Sequence, residues 1–151
     1  MSYQQYDSAQ PDLIPAGHAV ALYRNGRYAA TQKQADRFSS VMWIDVNGSD
    51  LAAGVLDVET GDASPAGWYE WALHRSELHP GELLRAYCNL STWPAVKAET
   101  ARLPAEARRL VRYWVANPVG RSHLVPGSDA TQWFWGQDWD QSFCTEAFAP
   151  R

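Results

Sequence analysis

The chain has 151 residues, of which 46% are hydrophobic and 20% are charged, and this composition predicts a single globular domain. The formal net charge of −4 and the pI near 5.5 exclude a general nucleic-acid-binding protein, which needs a basic surface to neutralise phosphates. No segment approaches the roughly 20 apolar residues of a membrane span, so no membrane association is expected.

The first sixteen residues are polar and contain Pro11 and Pro15. They are predicted to form an arm at residues 1–16, outside a single folded domain at residues 17–151. The start of the chain lacks the basic residues and the apolar run of a signal peptide, so synthesis in the cytoplasm is expected. An extracellular target would have to be reached by another route.

Short apolar runs then alternate with helical segments. Strands are predicted at 18–23, 40–46, 53–59, 83–89, 113–118 and 131–136. Helices are predicted at 30–38, 64–78, 91–103 and 105–111. This alternation indicates an α/β fold with about six strands, either as a parallel sheet or as a small or incomplete (β/α) barrel.

Polar side chains follow several predicted strands, at the edge where parallel α/β folds carry their functional groups. They are Asp45, Asp57, Glu59, Asn89, Asn117 and Gln132. A single such residue means little, but their recurrence predicts a shared pocket.

Asp57 and Glu59 are the most informative pair, because residues i and i+2 of a strand share a face, about 6.5 Å apart. Two acids so close do not ionise together easily, and one can keep its proton near neutral pH. Glycoside hydrolysis needs such a protonated acid to protonate the leaving oxygen. The alternative is that both acids cap the next helix or bind backbone amides, a role that suits Asp62 better.

Eight tryptophans are more than a chain of this length usually contains. Trp114, Trp133 and Trp135 lie on predicted strands, where an aromatic face could stack on a sugar ring. For each of them, packing in the core is the competing interpretation. Trp68 and Trp71 lie on a predicted helix and are assigned to the core.

Other chemistries lack a signature. The sequence contains no nucleophile elbow, P-loop or dinucleotide-binding glycine motif, and His74 and His79 do not have metal-ligand spacing. No cofactor and no metal are therefore expected. Cys88 and Cys144 are predicted to be buried free thiols, with one long-range disulfide as the alternative.

Four segments, in chain order, resemble family 25 glycoside hydrolases, the muramidases of phage and bacteria, and more closely a related actinobacterial group of glycoside-hydrolase-like domains. These segments are GVLDVETGDASP, RAYCNLSTWPAV, YWVANP and TQWFWGQDWDQS, and the resemblance spans residues 20 to 143. It implies a TIM-like (β/α) barrel and peptidoglycan as the substrate.

The resemblance also implies roles for individual residues. Glu59 would be the general acid, Asp57 would steady it or orient an acetamido group of the substrate, and Asp140 would lie at the closing edge of the pocket. Tyr87, Trp114 and Gln132 would line the pocket. Together with the remaining strand-end residues, the candidates for substrate binding are Asp45, Tyr87, Asn89, Trp114, Asn117, Gln132 and Trp133.

One family feature is predicted to be missing. Family 25 enzymes place an aspartate on the first strand, whereas the predicted first strand, HAVALY, ends at Tyr23. Two hypotheses follow: a muramidase-like hydrolase that acts at the cell wall after lysis or in a virion, or a catalytically inactive structural or host-adhesion module. The second would dock onto a larger phage assembly through the arm. A cytoplasmic binding protein is a third option.

Overall fold

The computed structural model describes residues 1–150, and eight β-strands in that range form one closed barrel. The strands are β1 (Ser2–Asp7), β2 (Ala19–Tyr23), β3 (Ser40–Asp45), β4 (Val55–Asp57), β5 (Leu84–Asn89), β6 (Val111–Ala116), β7 (Ala130–Trp135) and β8 (Asp140–Thr145). The predicted α/β barrel is therefore confirmed in its coarse form, but the expected number of six strands is wrong.

The strands pair in chain order around the barrel. Strands β1 to β7 run parallel to one another. Strand β8 is antiparallel to both β7 and β1 and closes the ring. Because β8 is antiparallel, its first residue lies at the end of the barrel where the parallel strands finish. Asp140 is accordingly paired with Asp7, the last residue of β1.

Four α-helices connect the parallel strands. They are α1 (Gln32–Ala35), α2 (Pro65–Leu78), α3 (Trp93–Thr100) and α4 (Ala105–Arg108). Each lies within a segment that the sequence predicts to be helical. Helix α2 begins as predicted, with Pro65 in its first turn and the Ser64 hydroxyl accepting a hydrogen bond from the Gly67 amide.

The arm predicted at residues 1–16 is wrong, because residues 2–7 are a barrel strand. All six residues of β1 pair with β8, and Tyr6 and Asp7 also pair with β2. The side chains of Gln5 and Asp7 are buried. A polar segment can form a barrel strand here because its buried side chains lie among the polar groups at one end of the barrel interior.

The apolar core has an inner and an outer part. Inside the barrel, Phe148 lies beneath Trp114, and Trp114 contacts Tyr87 with ring centroids 4.7 Å apart. Outside, Trp68 and Trp71 of α2 pack on β4 and β5, as the sequence predicts. Rings therefore fill one end of the interior and leave the other end to polar groups.

Both cysteines are buried free thiols, and the disulfide alternative is not formed. Burial raises the pKa of each thiol to about 12. Within residues 1–150, no helix combines the length and apolarity needed to cross a membrane.

Candidate active site

Five acidic residues gather at the barrel end where the parallel strands finish, and we call them the acid cluster. They are Asp7, Asp57, Glu59, Asp62 and Asp140. Their charges act on one another: Asp140 and Glu59 raise the pKa of Asp7, and Glu59, Asp62 and Asp7 raise that of Asp57. No ion pair formed within residues 1–150 includes a member of the acid cluster.

Asp57 and Glu59 are brought together, but not on one strand as the sequence predicts. Strand β4 ends at Asp57, and Glu59 belongs to the loop that follows. Carboxylate oxygens of Asp57, Glu59 and Asp62 nevertheless lie within 4.8 Å of one another. The loop thus folds back so that three acids meet beside the end of β4.

The capping alternative for these acids is not what the structure contains. Ser64 occupies the N-cap position of α2 and its hydroxyl bonds the Gly67 amide. Asp62, the preferred capping candidate, instead joins Asp57 and Glu59. The acids are therefore not needed to begin the helix.

Asp57 is a sealed carboxyl group. It is 4% exposed, and its Oδ1 atom has no hydrogen-bond partner. Burial, followed by the charges of Glu59 and Asp62, raises its pKa to about 8. Asp57 is therefore mostly protonated at neutral pH.

Glu59 is half-buried and borders a surface cleft of about 430 Å³. Burial and the charge of Asp62 raise its pKa, whereas a hydrogen bond with the Tyr87 hydroxyl opposes this rise. The cleft is lined by backbone and small side chains, including Gly61, Ser64 and Thr92, and tryptophan is not among its lining residues. Glu59 thus combines access from solvent with a tendency to keep its proton.

Asp7 supplies the first-strand acid that was predicted to be missing. That prediction was wrong because the true first strand is β1, not β2. Asp7 is buried, and burial followed by the charge of Asp140 raises its pKa to about 7, against a hydrogen bond from Gln132. It borders a second cleft, of about 190 Å³, shared with Asp140.

A buried amide links the two sides of the acid cluster. Gln132 Nε2 donates to both Asp7 oxygens, at 3.0 and 3.1 Å, and lies 3.4 Å from Asp140 Oδ2. Its Oε1 accepts from the Tyr87 hydroxyl at 2.8 Å and from Trp135 Nε1 at 2.6 Å. Tyr87 lies between Gln132 and Glu59, since its hydroxyl bonds Gln132 and also acts on the pKa of Glu59.

The tryptophans divide differently from the prediction. Trp114 is buried, donates to the Ser142 hydroxyl at 2.9 Å, and supports Tyr87 from below, so it belongs to the core. Trp133 points away from Gln132 and bonds Gln4 on the outer surface. A bulge between β7 and β8 places Trp135, which is 58% exposed, at the rim beside Gln132.

Three predicted substrate-binding residues hold loops instead. Asp45 accepts hydrogen bonds from the Asn25 side chain and from the amides of 47, 48 and 50. Asn89 accepts from Ser91 and Thr92 before α3. Asn117 contacts His123 in the loop after β6. Each of these side chains bonds its own loop, so polarity at a strand end does not by itself identify the site.

The oxygens of Asp57, Glu59 and Asp62 could also hold a divalent cation. Oxygen atoms on opposite sides of Ca²⁺ lie about 4.8 Å apart, a spacing that this group can meet. A cation there would compete with the proton that burial favours on Asp57. The sequence interpretation did not consider this possibility, because it searched for histidine and cysteine ligands.

Comparison with known proteins gives no match: no protein-family model, no curated protein and no solved structure matches the sequence. The resemblance of the four segments to family 25 glycoside hydrolases therefore stays a hypothesis. Function has to be inferred from the residues at this end of the barrel.

Proposed function

We propose that the protein is a peptidoglycan-directed glycoside hydrolase of the muramidase type, built on a TIM-like barrel. The observation that carries this proposal is the convergence of acids whose pKa values are raised by burial and by one another, next to two surface clefts. Acids held in different protonation states are what glycosidic bond cleavage requires. Seven successive parallel strands, with helices after several of them, support the TIM-like interpretation.

Glu59 is the general acid in this proposal. Its carboxyl group borders a cleft and its pKa is raised, which favours the protonated form that can donate to the oxygen of the bond that breaks. As the C–O bond opens, positive charge develops on the sugar, and the Asp7 carboxylate stabilises that charge. A water molecule then adds to the sugar carbon and returns a proton to Glu59, which completes hydrolysis.

Asp57 and Asp140 complete the proposed site. Asp57, whose pKa is raised to about 8 and which has a carboxylate oxygen within 4.8 Å of one of Glu59, keeps a second negative charge away from the general acid. Asp140 is fixed by the Gly136 amide at 3.0 Å and lies at the closing edge beside Asp7. Both positions agree with the roles that the resemblance implies.

Four exposed apolar residues at the same end of the barrel would suit contact with a sugar polymer. Trp135 ends β7, while Leu90, Val119 and Tyr28 follow β5, β6 and β2, and all four are exposed. They therefore lie at the same end as the acid cluster. Apolar surface beside polar groups suits the two faces of a pyranose ring.

The alternative proposal is an inactive adhesion or structural module, such as a virion component. Among the reasons for it were a missing first-strand acid and a free arm that could dock onto a phage assembly. Asp7 occupies the first strand and residues 2–7 are part of the barrel, so these two reasons no longer apply, whereas the compact size of the chain remains. We therefore favour the hydrolase, acting at the cell wall after lysis or within a virion.

The experiment is the release of soluble fragments from purified actinobacterial cell walls. Wild-type protein is expected to release fragments with new reducing ends, and Glu59→Gln is expected to lose about 10² to 10⁴-fold in rate, because the amide cannot donate the proton. The matched control is Glu106→Gln, an exposed residue of α4, which should keep the wild-type rate. Equal, negligible release by wild type and Glu59→Gln would reject the hydrolase and favour the inactive module.

A further inference from the structure

The side-chain amide of Gln132 makes so many polar contacts within the protein that little hydrogen-bonding capacity is left for a substrate. Its amide makes five, all to neighbouring side chains: two to Asp7 and one each to Asp140, Tyr87 and Trp135. The residue is 2% exposed. Both lone pairs of Oε1 are used, so the oxygen has no capacity left for a sugar hydroxyl.

The contacts also fix which way the amide points. The indole N–H of Trp135 can only donate, so the atom that it contacts at 2.6 Å must be the amide oxygen. A flipped amide would set N–H groups against this indole and leave a carbonyl facing two acids. The NH₂ group therefore faces Asp7 and Asp140.

We infer that Gln132 is a positioning residue that holds Asp7 in its charged form, and not a ligand of the substrate. Two N–H groups aimed at carboxylate oxygens stabilise the ionised acid more than the neutral one. The shorter contacts, at 3.0 and 3.1 Å, both lead to Asp7, whereas the Asp140 oxygen is 3.4 Å away. Asp7 is thus the acid that the amide favours as an anion.

The surroundings of Asp7 make this donor decisive. The titratable groups whose charge interacts with it come from four strands or their loops: Tyr23, Asp57, Glu59, Tyr87, Asp140 and Cys144. All of them are neutral or negative, and none carries a positive charge. Burial and these charges raise the pKa of Asp7, and the Gln132 hydrogen bond is the opposing contribution.

A role of Gln132 in catalysis rests on the proposed function. Gln132 donates hydrogen bonds to both oxygens of Asp7, whereas Oδ1 of Asp57 has no hydrogen-bond partner. In the proposed mechanism Gln132 would thus favour the negative charge on Asp7 that stabilises the sugar. Whether Gln132 stabilises the charged form of Asp7, however, can be tested without any substrate.

The test is a pH titration of the side-chain carboxyl carbons of ¹³C-labelled aspartate, followed by NMR, with Asp7 assigned through Asp7→Asn. In the wild-type protein Asp7 should titrate near pH 7. Gln132→Leu removes both N–H donors at similar volume, and should move the Asp7 titration upward by about one pH unit or more. An unchanged or lower titration would overturn the inference.

Two further variants guard against a general structural effect. Trp135→Phe alters an exposed rim residue, releases the amide oxygen, and should move the Asp7 titration in the same direction by a smaller amount. Gln5→Leu is the matched control: Gln5 is also buried, lies on β1 with Asp7, and has no hydrogen-bond partner at Nε2. It should leave the titration in place, and a movement equal to that in Gln132→Leu would also overturn the inference.

Activity separates this inference from the proposed function. If the wild-type protein cleaves cell walls, Gln132→Leu should move the acidic limb of the kcat/KM profile upward together with the Asp7 titration. If the titration moves but no protein releases fragments, the role of Gln132 stands and the hydrolase proposal fails.

Discussion

Asp57 has a carboxyl oxygen that is sealed from solvent and has no hydrogen-bond donor. Such a site disfavours the charged form, which explains why the pKa rises from 3.8 to about 8. Between these two values, folding takes up a proton, because the folded state binds one where the unfolded chain does not. The contribution of Asp57 to stability therefore falls as the pH rises from about 4 to about 8.

Asp57→Asn should stabilise the protein at alkaline pH, because asparagine resembles the protonated acid and carries no charge. We expect the free energy of unfolding at pH 9 to increase by about 1 to 3 kcal/mol, with little change at pH 4. Chemical denaturation at both pH values measures the difference.

The control is Asp36→Asn, at an exposed aspartate after α1. Its effect should be the same at the two pH values. A gain in Asp57→Asn that did not grow with pH would show that Asp57 is charged in the folded protein.

Strands β1 and β8 explain where sequence interpretation failed. Strands β2 to β7 were predictable because they contain apolar runs, such as AVALY and SVMWID, that face other elements on both sides. SYQQYD and DQSFCT lack such runs, since their inward positions include Gln5, Asp7 and Ser142. Hydrophobic periodicity cannot identify a strand whose buried face is polar.

Tyr6→Pro tests whether β1 is part of the barrel. Tyr6 is paired with Val20 on one side and with Gln141 on the other, so proline removes a ladder hydrogen bond whichever way the amide points. We expect it to destabilise the protein by about 3 kcal/mol more than Tyr6→Ala, which keeps the backbone amide. Urea denaturation of the two variants checks this difference, and equal midpoints would restore the arm at residues 1–16.

At the scale of the whole molecule, barrel closure assembles the acid cluster. Asp7 and Asp140 come from β1 and β8, whereas Asp57 and Glu59 come from β4 and its loop. Tyr87 and Gln132 connect the two groups across the interior. Local contacts alone could not assemble these residues, because the strands that carry them form two separate groups around the barrel, β7–β8–β1 and β4–β5.

The sequence therefore predicted only part of the candidate site. Asp57, Glu59, Tyr87, Gln132 and Asp140 were named from strand ends and from the resemblance, and all lie at one end of the barrel. Asp7 was missed because its strand was missed. Asp45, Asn89 and Asn117 bond their own loops, which shows that a strand-end polar group holds a loop as readily as it faces a pocket.

The central claim is that Asp7 and Glu59 act in one glycan-cleaving site. The most direct measurement is kcat/KM on cell-wall fragments for wild type, Asp7→Asn, Glu59→Gln and the double variant. Each single variant should lose about 10² to 10⁴-fold in kcat/KM. The double variant should be only a little slower than the less active single variant, because the effects of groups that act as a unit are not additive. Wild-type rates in Asp7→Asn, or losses that simply multiply in the double variant, would contradict a shared site.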